Sequence, residues 1–194
     1  METKSIIIVG VGGQGTLLAS RIMGRVFLKK GYDVKVSEVH GMSQRGGSVV
    51  TYVRYGSCVA SAVVDKGEAD MIISFEKLES ARWLSYLKKG GVLISNDQEI
   101  DPMPVIAGAA VYPSDVLDRI SGLGVKTVTV SASKLAEEAG SAKAANTVLL
   151  GVASVFTDIP AEEWLSAISE TVPAKTVQVN TDAFLKGRAA AEIG

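Results

Sequence analysis

Four of the six residues at positions 10–15 (GVGGQG) are glycine, directly after an apolar β-branched run within residues 5–9 (SIIIV). Gly10, Gly12 and Gly15 match G-x-G-x-x-G. Glycines at that spacing allow a tight turn and let backbone N–H groups approach a phosphate at a helix N-terminus. Residues 16–28 supply the helix, with Leu17, Leu18, Ile22, Val26 and Phe27 on its apolar face and Lys29, Lys30 and Gly31 closing it. Residues 33–39 (DVKVSEV) alternate and predict a second strand. This is one βαβ unit with an expected right-handed crossover.

The pattern then repeats. A loop at 40–47 (HGMSQRGG) leads to a strand over 48–55, with a short run at 59–64 expected to pair with it. A buried strand over 69–75 precedes a helix over 76–89, which Gly90 and Gly91 should end before a strand at 92–96. Residues 101–113 hold three of the five prolines and read as an irregular connection. A helix at 114–120 and a strand at 126–130 follow, and from residue 133 onward the pattern is helical. Strand–helix–glycine–strand repetition predicts an α/β fold: a doubly wound, mostly parallel, Rossmann-like sheet with a helical C-terminal segment. With 194 residues, no repeat and no linker, the chain reads as a single domain over 1–194.

Composition removes whole classes of function. One cysteine (Cys58) and one histidine (His40) cannot supply an iron–sulfur cluster or a structural zinc site. Cys58 is expected to pack rather than react. No apolar stretch approaches the ~20 residues that span a bilayer, so no membrane role is expected. Cysteine usage is compatible with a reducing cytoplasm. The net charge of −1 argues against a nucleic-acid binder. Its distribution is uneven: residues 1–60 hold 8 Lys/Arg against 3 Asp/Glu, leaving 12 against 18 for the rest. The basic end carries the glycine loops, which suits an anionic ligand or an acidic partner.

Glu38, at the end of the second strand, lies near where a ribose-binding acid would sit in a dinucleotide fold. That keeps open a free-standing NAD(P)-binding reductase. The extra Gly13 and Gln14 in the first loop, and the second loop itself, count against it. Ser43, Gln44, Arg45, Gly46 and Gly47 form a compact element before a strand. The arginine fork suits a phosphate or carboxylate, and adjacent glycines free further N–H donors. A tight turn without ligand and a surface ion pair at Arg45 are the structural alternatives for the two loops.

GVGGQG at 10–15 followed by EVHGMSQRGGSV at 38–49 resembles the gamma-type subunit family of the 2-oxoacid:ferredoxin oxidoreductases, and within it the indolepyruvate branch. The resemblance continues at 146–151 (NTVLLG) and 180–187 (NTDAFLKG). It implies a small subunit of a heteromeric, CoA-dependent enzyme, with the isolated chain inactive. Thiamine diphosphate, Mg²⁺ and iron–sulfur clusters are expected on a large partner subunit; this chain has no GDG motif and holds no cofactor or metal of its own. The reaction implied is oxidative decarboxylation of a 2-oxoacid to acyl-CoA, CO₂ and reduced ferredoxin. The two loops would then line the CoA or substrate site, or dock on the partner. Glu38 and His40 are candidate site residues, His40 because imidazole exchanges protons near neutrality. A non-catalytic assembly subunit is the remaining alternative.

Overall fold

The computed structural model describes residues 2–40 and 47–193. Among these residues six strands form one sheet: β1 (Lys4–Val11), β2 (Asp33–His40), β3 (Ser48–Gly56), β4 (Ala69–Ser74), β5 (Leu87–Asn96) and β6 (Lys126–Val130). Their order is β2-β3-β1-β4-β5-β6. β1, β4, β5 and β6 pair in parallel, while β3 runs antiparallel to both β1 and β2. Only β3 opposes the common direction, so the mostly parallel sheet holds. The expected βαβ unit is modified, because β3 is inserted between β1 and β2.

β1 shows why its run of isoleucines reads as a strand buried on both faces. Ile6 and Ile8 point into one core, Ile7 and Val9 into the other. The first core is covered by α1 (Thr16–Lys29), α5 (Ala132–Glu138), α6 (Ala145–Ser154), α7 (Ala161–Thr171) and α8 (Val177–Ile193). Phe27 stacks on Tyr55 at 3.8 Å between centroids and meets Trp164 edge-on at 6.0 Å. The second core lies under α2 (Lys77–Trp83) and α4 (Val116–Gly122). A one-turn helix, α3 (Met103–Ile106), interrupts the proline-rich connection.

Four local expectations are corrected. Residues 59–64 form no strand; Asp33 Oδ2 accepts from the Val59 amide at 2.8 Å, and Arg54 Nη1 donates to the carbonyls of Ser61 and Val63. Side chains of β2 and β3 thus supply the bonds a strand partner would have made, and burial of Val59 and Val64 explains the apolar run. The helix after β4 stops at Trp83, and residues 84–86 form one 3₁₀ turn. Gly90 and Gly91 lie within β5, where its pairing with β4 shifts register between Ala69 and Met71. Gly90 has φ +81°, and a Cβ at Gly91 would sit 3.0 Å from the Asp70 carbonyl oxygen. The glycines there serve an irregularity in the ladder rather than a helix end. Finally, Cys58 is exposed rather than packed.

The C-terminal motifs meet each other. α6 and α8 cross where a Cβ at Gly151 would lie 2.1 Å from the Phe184 carbonyl oxygen, and one at Gly187 2.0 Å from that of Val148. Beside the crossing, Thr147 Oγ1 donates to Asn180 Oδ1 at 2.6 Å, and Asn180 Nδ2 to the Thr176 carbonyl at 2.8 Å. NTVLLG and NTDAFLKG are therefore two sides of one helix contact.

Candidate functional site at the carboxyl ends of β1 and β4

From β1 the chain crosses toward β2, and from β4 toward β5, on opposite sides of the sheet. The carboxyl ends of β1 and β4 therefore bound a topological switch point, the place where open α/β sheets bind ligands. The glycine loop sits there. Gly13 and Gly15 have φ of +102° and +88°, a region L side chains rarely adopt. A Cβ at Gly10 would meet Gln14 Oε1 at 2.8 Å and Phe75 Cβ at 2.9 Å. Gly10 is thus required by close approach, and Gly13 by conformation alone.

Gln14 has a role the sequence did not suggest. Its Oε1 accepts from the Val11 amide at 2.7 Å, while its Nε2 donates to the Phe75 carbonyl at 3.0 Å and to Gln98 Oε1 at 3.1 Å. Asn96 Nδ2 donates to the same two acceptors, and Asn96 Oδ1 accepts from the Ala132 amide. The side chain folds the loop back into the switch point and ties it to the ends of β4 and β5.

An open cleft of about 450 Å³ lies on the β2 side of the loop, lined by Gly12, Gly13, Gly15, Thr16, Glu38 and Val49, with Leu17 at its margin. The structure thus brings Glu38 to the glycine loop. Gly15 caps α1 without a side-chain bond, and no acidic residue lies in the helix's first turn. Those first-turn amides and the helix dipole suit an anion. Gly47, last of the second-loop residues, accepts a hydrogen bond from the Gly12 amide at 2.9 Å. Ser43, Gln44, Arg45 and Gly46 lie outside the described residues, and so does the side chain of His40. The backbone of His40 ends β2 opposite Val49.

Two carboxylates on the other side of the loop escaped sequence reasoning. Glu76 and Glu79 are each only 1% exposed. Glu76 accepts from the amides of Glu79 (3.0 Å) and Ile100 (3.3 Å) and from the Tyr112 hydroxyl. Burial and the Glu76 carboxylate push the Tyr112 phenol well above its ordinary value. Glu79 accepts from Ser48 Oγ at 2.6 Å and from Arg82 at 2.5 Å. Ser48 follows Gly47 directly, so Glu79 anchors the exit of the second loop to α2. An acid pair three apart after a buried strand was the available signal. Its partners, Ser48 and Tyr112, are too distant in sequence to be read. Among the described residues no group of three or more His, Cys, Asp or Glu side chains could hold a metal ion. No helix among them is long and apolar enough to cross a membrane.

Comparison with known proteins gives this site its context. The chain is 45% identical over 197 residues to the indolepyruvate oxidoreductase subunit IorB of Thermococcus kodakarensis, covering 99% of this chain and 98% of that one. It is 37% identical over 187 residues to the IorB of Archaeoglobus fulgidus, covering 94% and 92%. The fold matches the gamma subunit of a keto/oxoacid ferredoxin oxidoreductase from Geobacter sulfurreducens PCA with a TM-score of 0.74 and 23% identity, over 98% of this chain and 99% of that one. It also matches a 2-oxoglutarate:ferredoxin oxidoreductase from Magnetococcus marinus, solved with 2-oxoglutarate, coenzyme A and succinyl-CoA, with a TM-score of 0.77 and 20% identity. That match spans 100% of this chain but 32% of the longer one. None of these likenesses favours a free-standing NAD(P) reductase. Residues 5–190 match the family described as Pyruvate ferredoxin/flavodoxin oxidoreductase, and the chain belongs to that family as a small subunit of a 2-oxoacid ferredoxin oxidoreductase.

Proposed function

We propose that the chain, as one domain over 1–194, is the small subunit of a CoA-dependent indolepyruvate ferredoxin oxidoreductase. The enzyme converts an arylpyruvate to its acyl-CoA and CO₂ while reducing ferredoxin. The observation carrying this reading is the 45% identity to IorB over nearly the whole chain, against 29% to the 2-oxoglutarate synthase subunit KorC of Methanothermobacter thermautotrophicus. Thiamine diphosphate, Mg²⁺ and iron–sulfur clusters belong to a large partner subunit, and the assembled enzyme works in the cytoplasm. Thiamine diphosphate supplies the carbanion chemistry there. No step of it runs through this chain, whose residues bind and orient.

In this reading the cleft at the glycine loop receives the phosphates of CoA. Gly13 and Gly15 bring backbone close to the ligand, and the first-turn amides of α1 face it. Arg45 adds a planar fork, and Glu38 accepts from a hydroxyl. In the assembled enzyme, Arg45→Ala should raise KM for CoA roughly 10-fold or more, the loss expected for one charge-assisted bond, with kcat little changed. An unchanged KM together with weakened assembly would assign the second loop to docking instead. Turnover of indolepyruvate should exceed that of pyruvate and 2-oxoglutarate in the same preparation; a preference for either of the latter would overturn the substrate assignment.

A further inference from the structure

Among the described residues the sheet ends on one side in β2, an eight-residue strand paired only with β3. None of residues 33–39 is buried. The opposite edge, β6, is five residues long. A long open edge presents unpaired backbone N–H and C=O groups and is normally shortened, kinked or covered. β2 pairs with β3 in continuous register from Asp33 to His40, without a bulge or proline.

Above this edge α1 leaves a groove of about 820 Å³, lined by Leu17, Arg21, Gly24, Leu28, Val36 and Glu170 among others. Leu17, Arg21, Gly24 and Leu28 fall on one stripe of the helix. Leu17, Val36 and Leu28 are 41%, 45% and 60% exposed, a large apolar display for one groove. Gly24 is informative. A glycine inside a helix costs about 0.5–1 kcal/mol relative to alanine. A Cβ there would meet only Val36 Cγ2, at an ordinary 3.8 Å. Close packing within this chain therefore does not require a glycine at this buried position on the groove floor.

The rim is basic. Arg25 and Lys29 both pair with Glu170, and among the described residues Arg21 forms no ion pair, so three cations face one acid. Two copies related by a two-fold axis along this edge would bring like charges together. The edge thus calls for a partner strand with apolar side chains and carboxylates. Leu17 lines both this groove and the glycine-loop cleft, so the docked segment would end at the candidate site.

We infer that β2 and the outer flank of α1 are where the large partner subunit docks, through an extended segment carrying apolar and acidic side chains that adds to the sheet edge. The inference rests on the heteromeric reading above. Its test uses the full tagged chain and the large subunit. Leu28→Glu combined with Arg21→Glu should weaken assembly roughly 10- to 100-fold, as loss of a central anchor does, and Leu123→Glu, on an exposed residue elsewhere, should not. Both altered side chains are exposed, so the melting temperature of the isolated variant should stay at that of the wild type. In the wild-type complex, the amides of residues 33–39 should gain hydrogen-exchange protection, which keeps the test independent of the variant's folding. Unchanged assembly by a folded double variant, or unchanged exchange at 33–39, would overturn the inference. So would a wild-type homodimer that the double variant dissociates while heteromer formation survives. If the wild-type chain does not bind the large subunit at all, the functional reading itself fails.

Discussion

The N-terminal loop and the C-terminal helix crossing both depend on glycine and lie within contact of each other, yet they use the residue for opposite ends. At the crossing, Gly151 and Gly187 remove side chains so that two backbones can touch. In the loop, Gly13 has open space around its missing Cβ and needs only a left-handed backbone. One region is buried and saturated with partners. The other faces a cleft with helix amides uncapped by any side chain. The motifs that carry the family resemblance therefore divide into scaffold and candidate site. Asn146 joins the two: a Cβ at Gly15 would sit 2.8 Å from its Nδ2.

The sharpest way to break this division is to add one methyl group at each place. Gly187→Ala puts a Cβ 2.0 Å from a backbone oxygen, which no rotamer change can relieve. It should cost about 3 kcal/mol or more, a fall of roughly 6–12 °C in melting temperature at ~2–4 °C per kcal/mol. A loss below about 1 kcal/mol would mean the crossing is looser than described. Gly15→Ala combines a strained φ with the Asn146 contact and should cost about 1–3 kcal/mol. Gly13→Ala, strained but uncrowded, should cost nearer 1 kcal/mol. Both loop variants should lower the activity of the assembled enzyme beyond what their stability loss explains, whereas the crossing variants should act through folding alone.

Thr147→Val sharpens the comparison on the scaffold side. It keeps the volume and removes the 2.6 Å bond to Asn180, leaving a buried acceptor unsatisfied. Urea unfolding should show a loss of about 1–2 kcal/mol, with the kinetics of the surviving enzyme intact.

A smaller effect is expected at the amino end of the sheet, far from the site. Burial pushes the Asp70 carboxyl upward, but the Lys88 ammonium, the Ser5 amide and Lys4 outweigh it and hold it below its ordinary value of 3.8. A carboxylate lowered on folding stabilises above its unfolded value, and that contribution fades as pH falls through the folded one. Asp70→Asn should therefore lose about 1 kcal/mol at neutral pH. The wild type and the variant should converge in stability as the solution is acidified below about pH 4. A gap that widens on acidification would show that the Lys4–Asp70–Lys88 cluster is not its source.

What could be read from the sequence follows from range. The Ile6–Val9 run, the glycine loop and the helix after it are local patterns, and the structure reproduces them nearly to the residue. The placement of β3 between β1 and β2 depends on its pairing with β1, between residues some 40 apart, which alternation alone does not encode. Residues 76–89 show helical apolar spacing, but the last part joins β5 because its backbone completes the ladder with β4. In the candidate site, the glycines of residues 10–15 were legible because they follow a backbone requirement, and Glu38 because it is the acid near the end of the second strand. Glu76 and Glu79, and the contacts that Gln14 makes, were not, since they rest on Phe75, Gln98, Ser48 and Tyr112.

The most direct measurement is purification of the tagged chain from its native cells, followed by a visible spectrum and an assay of ferredoxin reduction with indolepyruvate and CoA. The expected result is a brown complex with a large thiamine-dependent partner. Its activity should require CoA and disappear when this chain is removed. A colourless chain eluting alone, or a partner fully active without it, would contradict the account.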